Sequence, residues 1–243
     1  MNNKKLKKPP IIEAIIGIAL SKPIYSLETL ESLYKSNFSD IFAKKETRKN
    51  FIAHIDINTN AFKSDGREMG LKLSTDPKDL TLFLEINRLS LSKLAPYESG
   101  ESLLKQYKGF WNTYIEKYEG EINIQDIASR SINRFVLPID KLGLFAIKPV
   151  MLSENLILFG NYAGQYIIIS SRFNAKAIIN VNTKPLENKK VEITFDIDAH
   201  NVINVKYNNF ESDIESIFMR LREFKNDIFF SNLPKANIME EFQ

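Results

Sequence analysis

Three acids and a histidine alternate along residues 191 to 200, VEITFDIDAH. With a period of two, Val191, Ile193, Phe195, Ile197 and Ala199 take one face of a strand, and Glu192, Thr194, Asp196, Asp198 and His200 take the other. Carboxylates at i and i+2 on a strand project the same way, close enough to share a divalent cation that could position a phosphate or activate water. A second string, FIAHIDIN at 51 to 58, puts His54 and Asp56 on one face. If the two faces converge, His54, Asp56, Asp196, Asp198 and His200 make a candidate metal site for a metal-dependent phosphate-processing enzyme. The plainer reading is a solvated sheet face, and nothing in the sequence pairs the two strands.

Two further groups could do chemistry. Glu13 lies in the otherwise apolar run Ile11 to Leu20, and a buried carboxylate there calls for a partner. Arg130 or Arg134 of SRSINRFVLP is the natural candidate for a structural ion pair. Lysines 4, 5, 7 and 8 (Lys4, Lys5, Lys7, Lys8) and the cluster Lys44, Lys45, Arg48, Lys49 could contact nucleic acid. The formal charge is +3 and the lysine tip alone carries four, so the remaining chain sums to 3 − 4 = −1. Nucleic-acid binders usually carry a more concentrated basic surface than that.

Other chemistry is excluded by type. The chain has no cysteine, which removes disulfides, thiolate metal sites and cysteine nucleophiles. Two histidines leave no HExxH, and no GxxxxGK[ST], GxGxxG or GxSxG occurs. The basic tip and the apolar run after it are separated by Pro9 and Pro10, with Glu13 inside the run and no small-x-small cleavage pattern beyond it. No segment reaches the ~18 uninterrupted apolar residues of a membrane helix. The expectation is a cytoplasmic protein, outside the membrane.

The elements that must position these residues follow from periodicity. Ile11 to Ser21 reads as a central strand. Ser26 caps a helix carrying Leu27, Leu30, Leu33, Tyr34 and Phe38. The basic connector at 44 to 49 leads to the strand at 51 to 58, and a turn at Ser64-Asp65-Gly66 opens a short strand with Met69, Leu71 and Leu73 inside. Leu80 to Leu94 reads as one strand whose phase shifts at a bulge near Asn87 and Arg88. A helix from 101 to 118 gathers Leu103, Leu104, Tyr107, Phe110, Trp111 and Tyr114 on one stripe. Ile122 to Pro138 is extended, 141 to 158 has no clear pattern, and strands at 164–172, 176–184 and 191–200 follow. A last helix over 210 to 228 buries Ile214, Ile217, Phe218, Leu221 and Ile228, with Arg220, Arg222, Glu223 and Lys225 outward.

These elements predict a single α+β domain over 1–243. A largely antiparallel sheet is packed by three amphipathic helices, with a basic tail at 1–8 and notional halves at 9–120 and 121–243. Each half holds a three-strand meander beside a long helix. The similar strings FIAHIDINT and ITFDIDAHN hint at a duplicated unit.

The segments PPIIEAIIGIAL (Pro9 to Leu20), LAPYES (Leu94 to Ser99), RSINRFVLP (Arg130 to Pro138), FDID (Phe195 to Asp198) and IFFSNLP (Ile228 to Pro234), in this order, resemble those of the "sporadically distributed" family of uncharacterised bacterial proteins of about this length. That resemblance spans nearly the whole chain and implies no assigned activity; patchy distribution implies a mobile or defence-associated setting. Together the residues and the resemblance point away from catalysis. They favour a regulatory or defence-associated bacterial protein that binds a protein partner or itself, with no cofactor unless the acidic strands hold a divalent cation. Nucleic-acid binding and metal-dependent phosphate chemistry are the alternatives.

Overall fold

The computed structural model describes residues 9–56, 61–96, 98–139 and 161–232, apart from the side chains at 51–56, 61–65 and 202–205. The lysine tip and the stretch 141 to 158 lie outside the described residues, and so do the side chains of His54 and Asp56.

Among the described residues nine antiparallel strands form one sheet. In chain order they are β1 (Ile11–Leu20), β2 (Lys44–Asp56), β3 (Ala61–Ser74), β4 (Leu80–Glu85), β5 (Arg88–Leu94), β6 (Asn123–Pro138), β7 (Tyr162–Ser170), β8 (Ala175–Leu186) and β9 (Lys190–Lys206). The helices are α1 (Leu27–Leu33), continued by a π-turn at Tyr34–Phe38, α2 (Gly100–Ile115), and α3 (Ser216–Asn232), preceded by a π-turn at Glu211–Glu215. The α+β reading and its antiparallel sheet therefore hold. Ser26 and Ser99 cap α1 and α2 by accepting from the amides of Thr29 and Ser102.

Across the sheet the order is β2-β3-β4-β5-β1-β6-β9-β8-β7. Outward from the β1–β6 junction it runs β5, β4, β3, β2 on one side and β9, β8, β7 on the other. In each half an opening strand (β1, β6) pairs with the last strand of its own meander (β5, β9), and β1 pairs antiparallel with β6 between them. A helix then closes each half, α2 packing over β5 and α3 over β6, β8 and β9. The halves thus share an order of elements, but the expected three-strand meander is found only in the second (β7–β9); the first has four strands (β2–β5), so β2 has no counterpart. The strings that hinted at a duplicated unit are not equivalent, since β2 opens the first meander and β9 closes the second.

The helices bury one face. Ala14, Ile16, Ile18 and Leu20 of β1, Leu89 and Leu91 of β5 and the Val191-to-Ala199 set of β9 meet Trp111, Tyr107, Tyr114, Phe218 and Phe229 in one core. Tyr107 and Tyr114 donate their hydroxyls to the carbonyls of Leu89 and Glu85, at 3.0 and 2.8 Å, which fixes α2 over β5.

Three local expectations are corrected. The phase shift at Asn87 and Arg88 is no bulge: Glu85 pairs with Arg88, closing a hairpin through Ile86 and Asn87. Ser64-Asp65-Gly66 is no turn, because β3 runs through it and pairs residue by residue with β2. The basic connector at 44 to 49 is itself the first part of β2. In the last two cases the ladder to a neighbouring strand outweighs local turn and loop propensity.

Candidate functional site

The alternation of β9 places its acids as expected and surrounds them with partners from other strands. Asp196 is buried, and Arg130 of β6 donates to it through Nε and Nη2 at 2.8 and 2.7 Å. This is a forked, charge-assisted pair. Register explains it: Asp198 lies opposite Arg130, so Asp196 is its diagonal neighbour two residues along β9. Asn180, directly opposite Asp196 on β8, adds a third donor at 3.1 Å. The Asp196 carboxylate holds the Arg130 guanidinium above its ordinary pKa.

His200 is clamped between two carboxylates. Its Nδ1 lies 3.0 Å from Asp126 of β6 and its Nε2 lies 3.2 Å from Asp198. With an anion on each nitrogen, both nitrogens donate, so the ring is an imidazolium; its pKa is pushed up to about 9, by Asp126 first and Asp198 second, against some desolvation. A protonated imidazole has no lone pair for a metal. Asp126, which the sequence reading did not single out, is thus the residue that fixes the charge state of His200. Arg88 of β5 stands 3.8 Å from the same carboxylate.

The other half of the predicted metal constellation is elsewhere. Five strands separate β2 from β9, roughly 29 Å at ~4.8 Å per strand, so His54 and Asp56 do not converge with Asp196, Asp198 and His200. Among the described residues no group of three or more histidine, aspartate or glutamate side chains has the geometry to hold a metal ion.

The predicted partner of Glu13 is also corrected. Arg130 lies on the same face but is engaged by Asp196, Arg134 is exposed, and the Glu13 carboxylate accepts instead from Ser92 of β5 at 2.5 Å. Glu13 contributes a small attraction to Arg130. Pairing with Asp196 wins because two hydrogen bonds form there without rearranging the sheet.

Each member of the basic cluster has an acid. Lys44 pairs with Asp76 at 3.0 Å, Lys45 with Glu31 at 2.6 Å, Arg48 with Glu85 at 2.7 Å and Lys49 with Glu68 at 3.1 Å. A phosphate backbone would have to displace those carboxylates, which removes most of the attraction that a bare cluster offers.

Two features went unrecognised in the sequence. One is a cavity of about 240 Å³ between the helix side of β1 and β6, the start of α2 and the second half of α3. Arg222 and Lys225, read as outward, both line it. The signal was present: Phe218, Arg222, Lys225 and Phe229 fall at spacings of 4, 3 and 4, one stripe of a helix. Facing them, Ser131 and Asn133 occupy core positions of β6. The other feature is β7. It ends the sheet, and its isoleucines Ile167 and Ile169 are 65% and 81% exposed.

No protein-family model matches this chain, and no curated protein matches its sequence.

Proposed function

We propose that this chain is a non-catalytic interaction protein that docks a polypeptide strand along β7, its first partner being a second copy of itself. The observation that supports this most is the contrast between the two ends of the sheet. The outer strand β2 carries Lys44, Lys45, Arg48 and Lys49, the charged residues that protect a sheet edge from unwanted pairing. Strand β7, YAGQYIIIS, has no charged residue and no proline. Its outer row of N–H and C=O groups faces no strand among the described residues. A long, apolar, unprotected edge is a template for strand addition.

A second copy fits the strand's own chemistry. In an antiparallel pair centred on Ile168, Ile167 of one copy stands opposite Ile169 of the other, so the two most exposed side chains of β7 cover each other. No charge is buried in that arrangement. Burying each isoleucine would contribute about 1.5–3 kcal/mol. The likeness to the "sporadically distributed" proteins supports placing such an interaction in a regulatory or defence-associated bacterial system.

Light scattering on a sizing column tests the reading. The full chain should run as a dimer, and Ile167→Lys with Ile169→Lys should make it a monomer with an unchanged circular dichroism spectrum. A wild type that is monomeric throughout the micromolar range, with mass and solubility that the two lysines leave alone, refutes it.

A further inference from the structure

Three observations meet at the cavity beside α3. First, Lys225 is partly buried there and has neither a hydrogen bond nor an ion pair among the described residues; desolvation lowers its pKa to about 8, with Asp198 attracting it and Arg222 repelling it. Arg222 differs, since it donates to Glu101. Second, the wall opposite is polar where a core strand should be apolar. Ser131 is 9% exposed and its hydroxyl has no hydrogen-bond partner among the described residues, and Asn133 is 1% exposed and spends its amide on the Phe195 carbonyl at 3.0 Å, leaving its own oxygen to accept. A smaller void of about 40 Å³ adjoins the cavity and reaches the equally unpartnered Ser129. Third, α2 begins at this cavity with Gly100, so the positive end of a sixteen-residue helix adds to the field of Lys225.

Hydroxyls at core positions of a strand and an unpaired, partly buried ammonium are groups that an anionic ligand can satisfy. We infer that this cavity is a binding site for a small organic carboxylate, with Lys225 as its counter-ion and Ser131 as a hydrogen-bond donor to it. Charge count selects the carboxylate. Arg222 is already paired with Glu101, and Glu98 at the exposed rim accepts from Ser102, so Lys225 is the lining cation without an ion-pair partner among the described residues and a monoanion would match it. The Phe229 ring, on the same stripe of α3 as Lys225, gives the apolar part of the ligand a wall.

Benzoate and the isosteric neutral benzamide are the probes, at constant ionic strength, with acetate and inorganic phosphate alongside. Benzoate should raise the melting temperature of the full chain by a few degrees and benzamide should not. Lys225→Met and Ser131→Ala should each abolish or sharply reduce the rise. Lys225→Met removes an unpaired, partly buried charge, so the variant should fold and melt above wild type without ligand. After ¹³C reductive methylation, the Lys225 resonance should titrate upward on adding benzoate. Equal shifts with benzoate and benzamide, a benzoate shift that survives Lys225→Met, or no shift at all overturns the site. A response to phosphate alone overturns the carboxylate assignment.

Discussion

The charge state of His200 gives the sharpest test of the structure. The clamp by Asp126 and Asp198 raises its folded pKa from 6.5 to about 9. Below pH 6.5 both folded and unfolded chains carry the proton, and the stabilisation is complete. Between 6.5 and about 9 the unfolded histidine has lost its proton while the folded one keeps it, so stability falls as pH rises, by ~1.4 kcal/mol per pH unit. Over the window this amounts to about 3 kcal/mol, and since the ring is only 16% exposed solvent screening takes little from it. Urea denaturation from pH 6 to 9.5 on wild type and His200→Gln should show curves about 3 kcal/mol apart at pH 6 that converge near pH 9. Lys225 works against this, since its lowered pKa makes stability rise between about 8 and 10.5. The difference between the two proteins cancels that contribution. The chain has two histidines, so His54→Gln assigns the His200 ring resonance and its titration can be followed directly. A midpoint near 6.5, or denaturation curves that run parallel across the range, would refute the clamp.

Further outcomes follow from the same coordinates. Asp196→Asn should cost about 2 kcal/mol, near the low end for breaking a buried pair because Arg130 keeps 37% of its surface in water. Arg130→Met should cost more, since it leaves a buried carboxylate with Asn180 alone; urea melts would show the order, and equal costs would refute it. Gly70 has φ +155°, and a Cβ there would lie 2.2 Å from the Leu84 carbonyl oxygen and 2.6 Å from the Glu85 Cα. Gly70→Ala should therefore lose about 3 kcal/mol by the same measurement, and a loss within 0.5 kcal/mol, about the spread of neutral surface changes, would contradict that backbone geometry.

Alternation told which residues share a face, and that part of the sequence was legible: the acidic side of β9 and the stripe of α2 fall where a period of 2 or 3.6 puts them. Alternation says nothing of which strands are neighbours. The partner of Asp196 comes from β6, more than sixty residues earlier, and no local pattern marks Arg130 as diagonal to it. The same gap made Glu13 and Arg130 look like a pair, although Ser92 lies closer to Glu13 across β5. Likeness of strings misled for a related reason. FIAHIDINT and ITFDIDAHN share residue types because both alternate apolar with polar residues, and that says nothing of their place in a meander.

The cavity escaped notice through a different error, that of reading charge as outward. Lys225 and Arg222 sit among apolar residues at helical spacing, and long cationic side chains on such a stripe are normally taken to reach for solvent. Two neighbouring facts argue otherwise. Ser131 and Asn133 hold core positions on β6, so the surface that α3 packs against is polar at that point; and α3 makes its covering contacts with β6, β8 and β9 on either side of it. A polar patch in one layer facing cations in the next is a matched pair across an interface. Either alone would be a packing defect. Since the sheet order brings β1 and β6 side by side, the cavity lies where the two halves meet, and a ligand there would touch both opening strands and the start of one closing helix. The acidic face of β9 is by contrast saturated, every carboxylate from Asp196 to the Asp126 clamp being matched by a cation of the sheet itself.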